Sequence, residues 1–255
     1  MRCTIQKILI NSISLLTVHT AMAQPISASS LTLEQGLSCL DWAEKEESFN
    51  NQLALGDRAD IPTPAIVKLQ KQFQQQYSKQ KTAIFDDSDD GNFCQDCPEI
   101  TVYLPRNKSN SIQRIETSMH VSVAGASTSI YRRDDLATTK QKIERGLNIK
   151  FSRYTGLQIK NFKQQWDKAS EQDKDNGKRI KTTQVFQKYP HLKVFNGEVF
   201  QNQKIYTPKR IYIYSQPYKR DVSDPNDLIA FISLYDNPVN PAQHILQCGF
   251  IDNVF

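Results

Sequence analysis

The segment Asp86-x-Ser88-x-Asp90-Gly91 sets oxygen donors at alternate positions and then a glycine, which is the first half of a loop that wraps a calcium ion. The second half departs from that pattern. Its twelfth position, where a bidentate glutamate belongs, is Cys97, and Glu99 falls two residues beyond. Asp86, Ser88 and Asp90 therefore make a low-affinity calcium candidate, set against the plainer reading of a solvated acidic turn. A calcium-stabilised structural module is one function this leaves open, and no other cofactor is expected.

Cys94-x-x-Cys97 follows at once. A redox dithiol needs a lowered thiol pKa, yet Asp86, Asp87, Asp89, Asp90, Asp96 and Glu99 all oppose a thiolate, and a strand rather than a helix follows Pro98. A structural disulfide is the better reading. Zinc would need a second ligand pair from Cys39, Cys248 or the scattered histidines His120, His191 and His244, and no close second pair exists.

Gly125-Ala126-Ser127-Thr128-Ser129 approaches a nucleophile elbow but lacks its final glycine, and Ile130 and Tyr131 extend a strand where a helix should open. With His120, His191 or His244 as base, Ser127 defines a hydrolase reading; a turn between strands is the ordinary one. The remaining candidate is the stretch 204–220, where lysines and arginines interleave with tyrosines. There Arg210, Tyr212, Tyr214 and Tyr218 form a cation-and-ring surface suited to gripping another envelope protein or a glycan. A sheet packed on both faces would use the same residues.

The compartment for this chemistry is written at the N-terminus. Arg2 and Lys7 precede a short apolar run over Ile8 to Val18, and Ala21-Met22-Ala23 fits the small-x-small cleavage rule, so residues 1–23 read as a signal peptide cut near Ala23. The run is well short of the roughly 20 apolar residues that span a bilayer, so no transmembrane segment is expected. Periplasmic or secreted localisation follows. Removing the leader takes two of 32 basic residues and none of 27 acidic ones, so the formal charge falls from +5 to +3, which argues against a nucleic-acid partner. It also removes Cys3 and leaves Cys39, Cys94, Cys97 and Cys248, an even set read as two disulfides with three possible connectivities. A Cys39–Cys248 bridge would tie the chain ends and restrict the unfolded ensemble by about 4 kcal/mol.

The elements that must position these residues follow from periodicity. Thr32 with Gln35 caps a helix carrying Leu33, Leu37, Leu40 and Cys39 through about Phe49, and residues 50–62 read as a connector. Thr63 and Pro64 open a second helix with Ile66, Leu69, Phe73 and Tyr77 on one face and glutamines on the other. Strand alternation marks Ile100 to Leu104, Ser118 to Ala124, and Ser127 to Tyr131. Helices are expected after Asp134 or Asp135 and over Leu157 to Asp173. Asn196-Gly197 predicts a tight hairpin between 194 and 200. Arg210 to Ser215 alternates as a strand, whereas Leu228 to Tyr235 fits a strand or a buried helix.

The expected architecture is α+β: an N-terminal helical pair packed on a largely antiparallel, disulfide-stapled sheet. The leader is 1–23, a helical segment 24–97 and an α+β segment 98–255, with 24–255 forming one domain or two. The expected function is that of an exported, soluble envelope protein that binds without catalysis, of inhibitor or immunity type. The hydrolase and the calcium module are the alternatives.

Overall fold

A computed structural model describes residues 31–41, 48–56, 62–80, 83–84, 99–120, 125–176, 180–194, 199–201, 204–218 and 228–252. Among these, the N-terminal third forms α1 (Leu33–Gly36), α2 (Phe49–Leu55) and α3 (Pro64–Gln76). The Thr32–Gln35 capping box is present in both directions, with Thr32 N–H donating to Gln35 Oε1 at 2.8 Å and Gln35 N–H to Thr32 Oγ1 at 3.2 Å. The long first helix is not. α1 stops at Gly36, Leu37 to Asp41 turn, and Cys39 takes a positive φ of 55° instead of lying on a helix.

Leu33, Leu37 and Leu40 are buried as their spacing implied, but a turn delivers them. The supposed connector begins with α2, whose N-cap Ser48 accepts from Asn51 N–H. α3 matches its signals: Thr63 accepts from Ile66 N–H, Pro64 occupies the first turn, and Ile66, Leu69 and Phe73 are buried. In place of one helical pair, two short helices and one longer one cover the sheet.

The chain then runs through β1 (Tyr77–Lys79), β2 (Ala83–Ile84), β3 (Glu99–Pro105), β4 (Ile112–His120) and β5 (Gly125–Arg132). Next come α4 (Leu136–Leu147), β6 (Ser152–Thr155), α5 (Gly156–Asn176) and α6 (Ile180–Lys188). It closes with β7 (Val199–Gln201), β8 (Lys204–Tyr206), β9 (Arg210–Tyr218), β10 (Leu228–Asp236) and β11 (His244–Asp252). The main sheet is antiparallel in the order β1-β3-β4-β5-β11-β10-β9-β6, with β2 also on β3. Among the described residues no helix is long and apolar enough to cross a membrane.

Both faces of the central strands are covered. Ile115, Ile130, Ile232, Leu234, Leu246 and Cys248 face the core under α1 to α4. Ile211, Ile213, Ile229, Phe231 and Ile245 face the opposite way, against Ile159 and Phe162 of α5 and Tyr189 and Leu192 beyond α6. Double burial settles the ambiguous Leu228 to Tyr235 run as a strand, because a strand wetted on neither side shows no polar alternation. Asp135 caps α4 by accepting from Thr138 N–H at 2.7 Å, and Asn148 in the left-handed region ends it. Val194 ends a short 3-10 turn, and β7 pairs with β8; the turn expected at Asn196-Gly197 falls between the 3-10 turn and β7. Asn196 and Gly197 lie outside the described residues, as do Val121 to Ala124.

Asp41 ties the turn after α1 to the start of α2, taking the Phe49 N–H at 2.5 Å and the Asn50 amide at 3.3 Å. Burial pushes its carboxyl up from 3.8 to about 6, the hydrogen bonds from Phe49 and Asn50 opposing. A folded-state pKa above the unfolded one means that the fold holds the proton longer than the unfolded chain does. The stabilisation is complete below about pH 4 and is lost as pH rises through about 6. We expect Asp41→Asn, which keeps an acceptor for Phe49 N–H, to gain up to about 3 kcal/mol at pH 7 and nothing at pH 4. The residue retains some exposed surface, so screening trims that ceiling. Denaturant melts of both proteins at the two pH values check it, and an equal difference at both would contradict the assignment.

Candidate functional site

Strand β9 carries three of the four expected contact side chains into view, and each is engaged by the fold. The Arg210 guanidinium forks onto Asp236, Nε to Oδ2 at 2.9 Å and Nη2 to Oδ1 at 3.0 Å. Tyr212 is half-buried against the core, with Lys140 Nζ of α4 5.5 Å from its ring centroid. Tyr214 is half-buried beside it; its hydroxyl donates to Gln216 at 3.3 Å and its ring stacks 5.8 Å from His191. The backbone of Tyr218 pairs with Leu228, and its side chain lies outside the described set.

Ser127 sits in the interior of β5, opposite Gly249 of β11, and its hydroxyl accepts from Gln247 at 3.3 Å. His244 pairs with Arg132, five positions along the same two strands, which is about 17 Å from Ser127. Burial lowers the His244 pKa against the pull of Asp134, 3.6 Å away. Arg132, buried, forks onto that same Asp134, whose carboxyl it holds low against the effect of burial.

His191 accepts the Ser215 backbone N–H at Nδ1 (3.2 Å), with the Ser215 hydroxyl at 2.9 Å. It thereby closes the edge of β9 where β6 has ended. Burial lowers the pKa of His191, and with Nδ1 accepting, the neutral ring carries its proton on Nε2. Ser127 is thus held apart from His191 and His244, the one histidine–serine contact among the described residues being His191 with Ser215, and the side chain of His120 lies outside the described set.

Cys39 and Cys248 form a disulfide, Cα atoms 6.3 Å apart, joining the turn after α1 to the middle of β11. Cys94, Cys97, Asp86, Ser88 and Asp90 lie outside the described residues. Among the described residues no three His, Cys, Asp or Glu side chains converge as a metal cluster would.

The structure also forms a site that periodicity did not predict. Where α2 and α3 meet the short edge strand β1 and its neighbour β3, they enclose a cleft of about 490 Å³. Phe73 near the end of α3 and Tyr77, the extended C-cap that opens β1, stack at 4.8 Å, and Tyr103 of β3 meets Phe73 edge-on at 5.0 Å. Of these rings Phe73 and Tyr77 are buried and Tyr103 is half-exposed. Burial raises the Tyr77 phenol pKa, and Asn110 donates to its oxygen at 3.0 Å. Gln70 and Gln74, one turn apart on α3, line the cleft with Gln52 of α2, and Lys79 and Arg106 stand at its exposed border.

Gln52 is the informative member. It is 2% exposed, and neither its Nε2 nor its Oε1 has a hydrogen-bond partner. A buried, unpaired amide costs on the order of 1–3 kcal/mol, so a fold that keeps one in a cleft wall retains unused donor and acceptor capacity there. Sequence reading missed it because polar Asn50, Asn51 and Gln52 looked like a connector. The glutamine-rich face of α3 was the one legible signal. Comparisons with known proteins find no matching family model, no matching curated protein and no matching solved structure.

Proposed function

We propose that this chain is a non-catalytic binding protein of the cell envelope, exported by the leader that ends at Ala23, and that it holds its ligand in the cleft between α2, α3, β1 and β3. The observation that carries the reading is the buried, unbonded carboxamide of Gln52 in the wall of a ligand-sized cavity. The described lining offers amides, rings and two cations; carboxylate, imidazole and thiol groups, which general acid–base and nucleophilic chemistry most often use, stand elsewhere. The Cys39–Cys248 disulfide fits an oxidising compartment. The ligand is another envelope molecule.

Gln52→Leu tests the cleft. Removing an unsatisfied amide while keeping the bulk should stabilise the ligand-free protein by about 1–3 kcal/mol in urea unfolding. The same variant should lose the melting-temperature rise that an envelope small-molecule extract produces in the wild type. A less stable Gln52→Leu protein that still responds to the extract would show that Gln52 serves packing alone.

A further inference from the structure

We infer that the ligand of this cleft is an acidic saccharide, a short chain of sugar rings bearing carboxylates; the inference rests on the cleft reading above and names its ligand class. Three primary amides line one small cavity, and each offers a planar donor pair beside an acceptor, which matches neighbouring hydroxyls of a sugar. Gln70 and Gln74 make no side-chain hydrogen bond to another described residue, and Gln52 makes none at all. No described residue uses this hydrogen-bonding capacity.

Tyr103 supplies the apolar complement. Its half-exposed ring leans on the Phe73–Tyr77 stack, so its orientation is fixed before a ligand arrives, and a ring face suits the C–H face of a pyranose. Charge then selects within the saccharides. Lys79 and Arg106 border the cleft, neither forms an ion pair with a described residue, and the described lining contains no carboxylate to neutralise them. An anionic group on the ligand would meet two cations that no described carboxylate pairs with, and an Arg fork can take a carboxylate by two bonds.

The cavity volume falls in the range of small-ligand sites rather than extended protein interfaces. A peptide would also satisfy amides. It is the less fitting occupant because peptide recognition at a sheet edge runs through backbone bonds, and here the three groups that offer donors and acceptors are side chains.

The test is calorimetric titration of the mature, disulfide-bonded protein with tri-galacturonate, its methyl ester, neutral maltotriose and a tri-alanine peptide. We expect tri-galacturonate to bind at least tenfold more tightly than its ester or maltotriose, with tri-alanine silent. Lys79→Gln with Arg106→Gln should abolish that preference, and Gln52→Leu should remove binding to all three sugars. Equal binding of ester and acid, or binding of maltotriose or tri-alanine alone with loss in Gln52→Leu, would overturn the acidic-saccharide assignment while leaving the cleft as the site. Binding of any probe that is unchanged in Gln52→Leu would overturn the cleft itself. Should all four probes fail to bind, the ligand class falls, and the melting response of the wild type to envelope extract decides the cleft separately.

Discussion

Replacing Cys39 and Cys248 together by alanine is expected to lower stability by about 4–5 kcal/mol in the chain-entropy model, because the bridge closes a loop across 209 residues of sequence. For a chain of this size that corresponds to a fall in melting temperature of about 10–20 °C. The bridge also has a local role. Both cysteines are fully buried in the core cluster, and Cys39 holds a positive φ that an L-residue rarely adopts. Without the cross-link, nothing covalent keeps the turn after α1 on β11, and the helical cover over that face loosens first. Thermal melts of the double variant and of oxidised wild type measure the loss; an unchanged midpoint would show that the cover is held by packing alone.

The second large effect is expected at Gly249. A methyl group there would collide with the Ala126 carbonyl oxygen and stand 2.7 Å from Ser127 Cα and 2.8 Å from Ser127 Cβ. Those atoms belong to β5, paired on its other side with β4, so the strand cannot retreat cheaply. Gly249→Ala should cost about 3 kcal/mol or more, at the upper end of overpacking penalties. Gly56→Ala is the comparison: its Cβ meets nothing within 4 Å, and its φ of 56° with ψ of −124°, a backbone conformation that favours glycine, alone should cost about 1–3 kcal/mol. Denaturant unfolding of the two variants compares them directly. A smaller loss in Gly249→Ala than in Gly56→Ala would contradict the close approach of β11 to β5.

Residues whose local preference and tertiary role agree were legible in advance. Thr63 with Pro64, Asp135 before Leu136, and the alternation from Arg210 to Ser215 each declare their element, and each is built as declared. Leu33, Leu37 and Leu40 show the limit of periodicity, since a turn buries all three as well as a helix would. Tertiary contacts go with the turn: Phe49 packs where a side chain on Gly36 would stand, its Cδ1 3.0 Å away, and Cys39, bonded to Cys248, has a positive φ outside helical geometry.

The cleft was harder to foresee because its walls come from separate stretches of chain. Gln52, Gln70 with Gln74, and Tyr103 meet only once β1 pairs with β3, a contact between segments more than twenty residues apart. Buried polar residues at Asn50, Asn51 and Gln52 contradict their own propensity, and such local conflicts collect where a protein keeps capacity for something other than stability.

The most direct measurement is the nitrogen–proton correlation spectrum of the mature protein, with the Gln52 side-chain amide pair assigned by its loss in Gln52→Leu. On addition of tri-galacturonate that pair should shift and its protons should exchange more slowly with water, as an unbonded amide acquires a partner. A titration that moves resonances on β9 or elsewhere while the Gln52 pair stays in place would contradict the account.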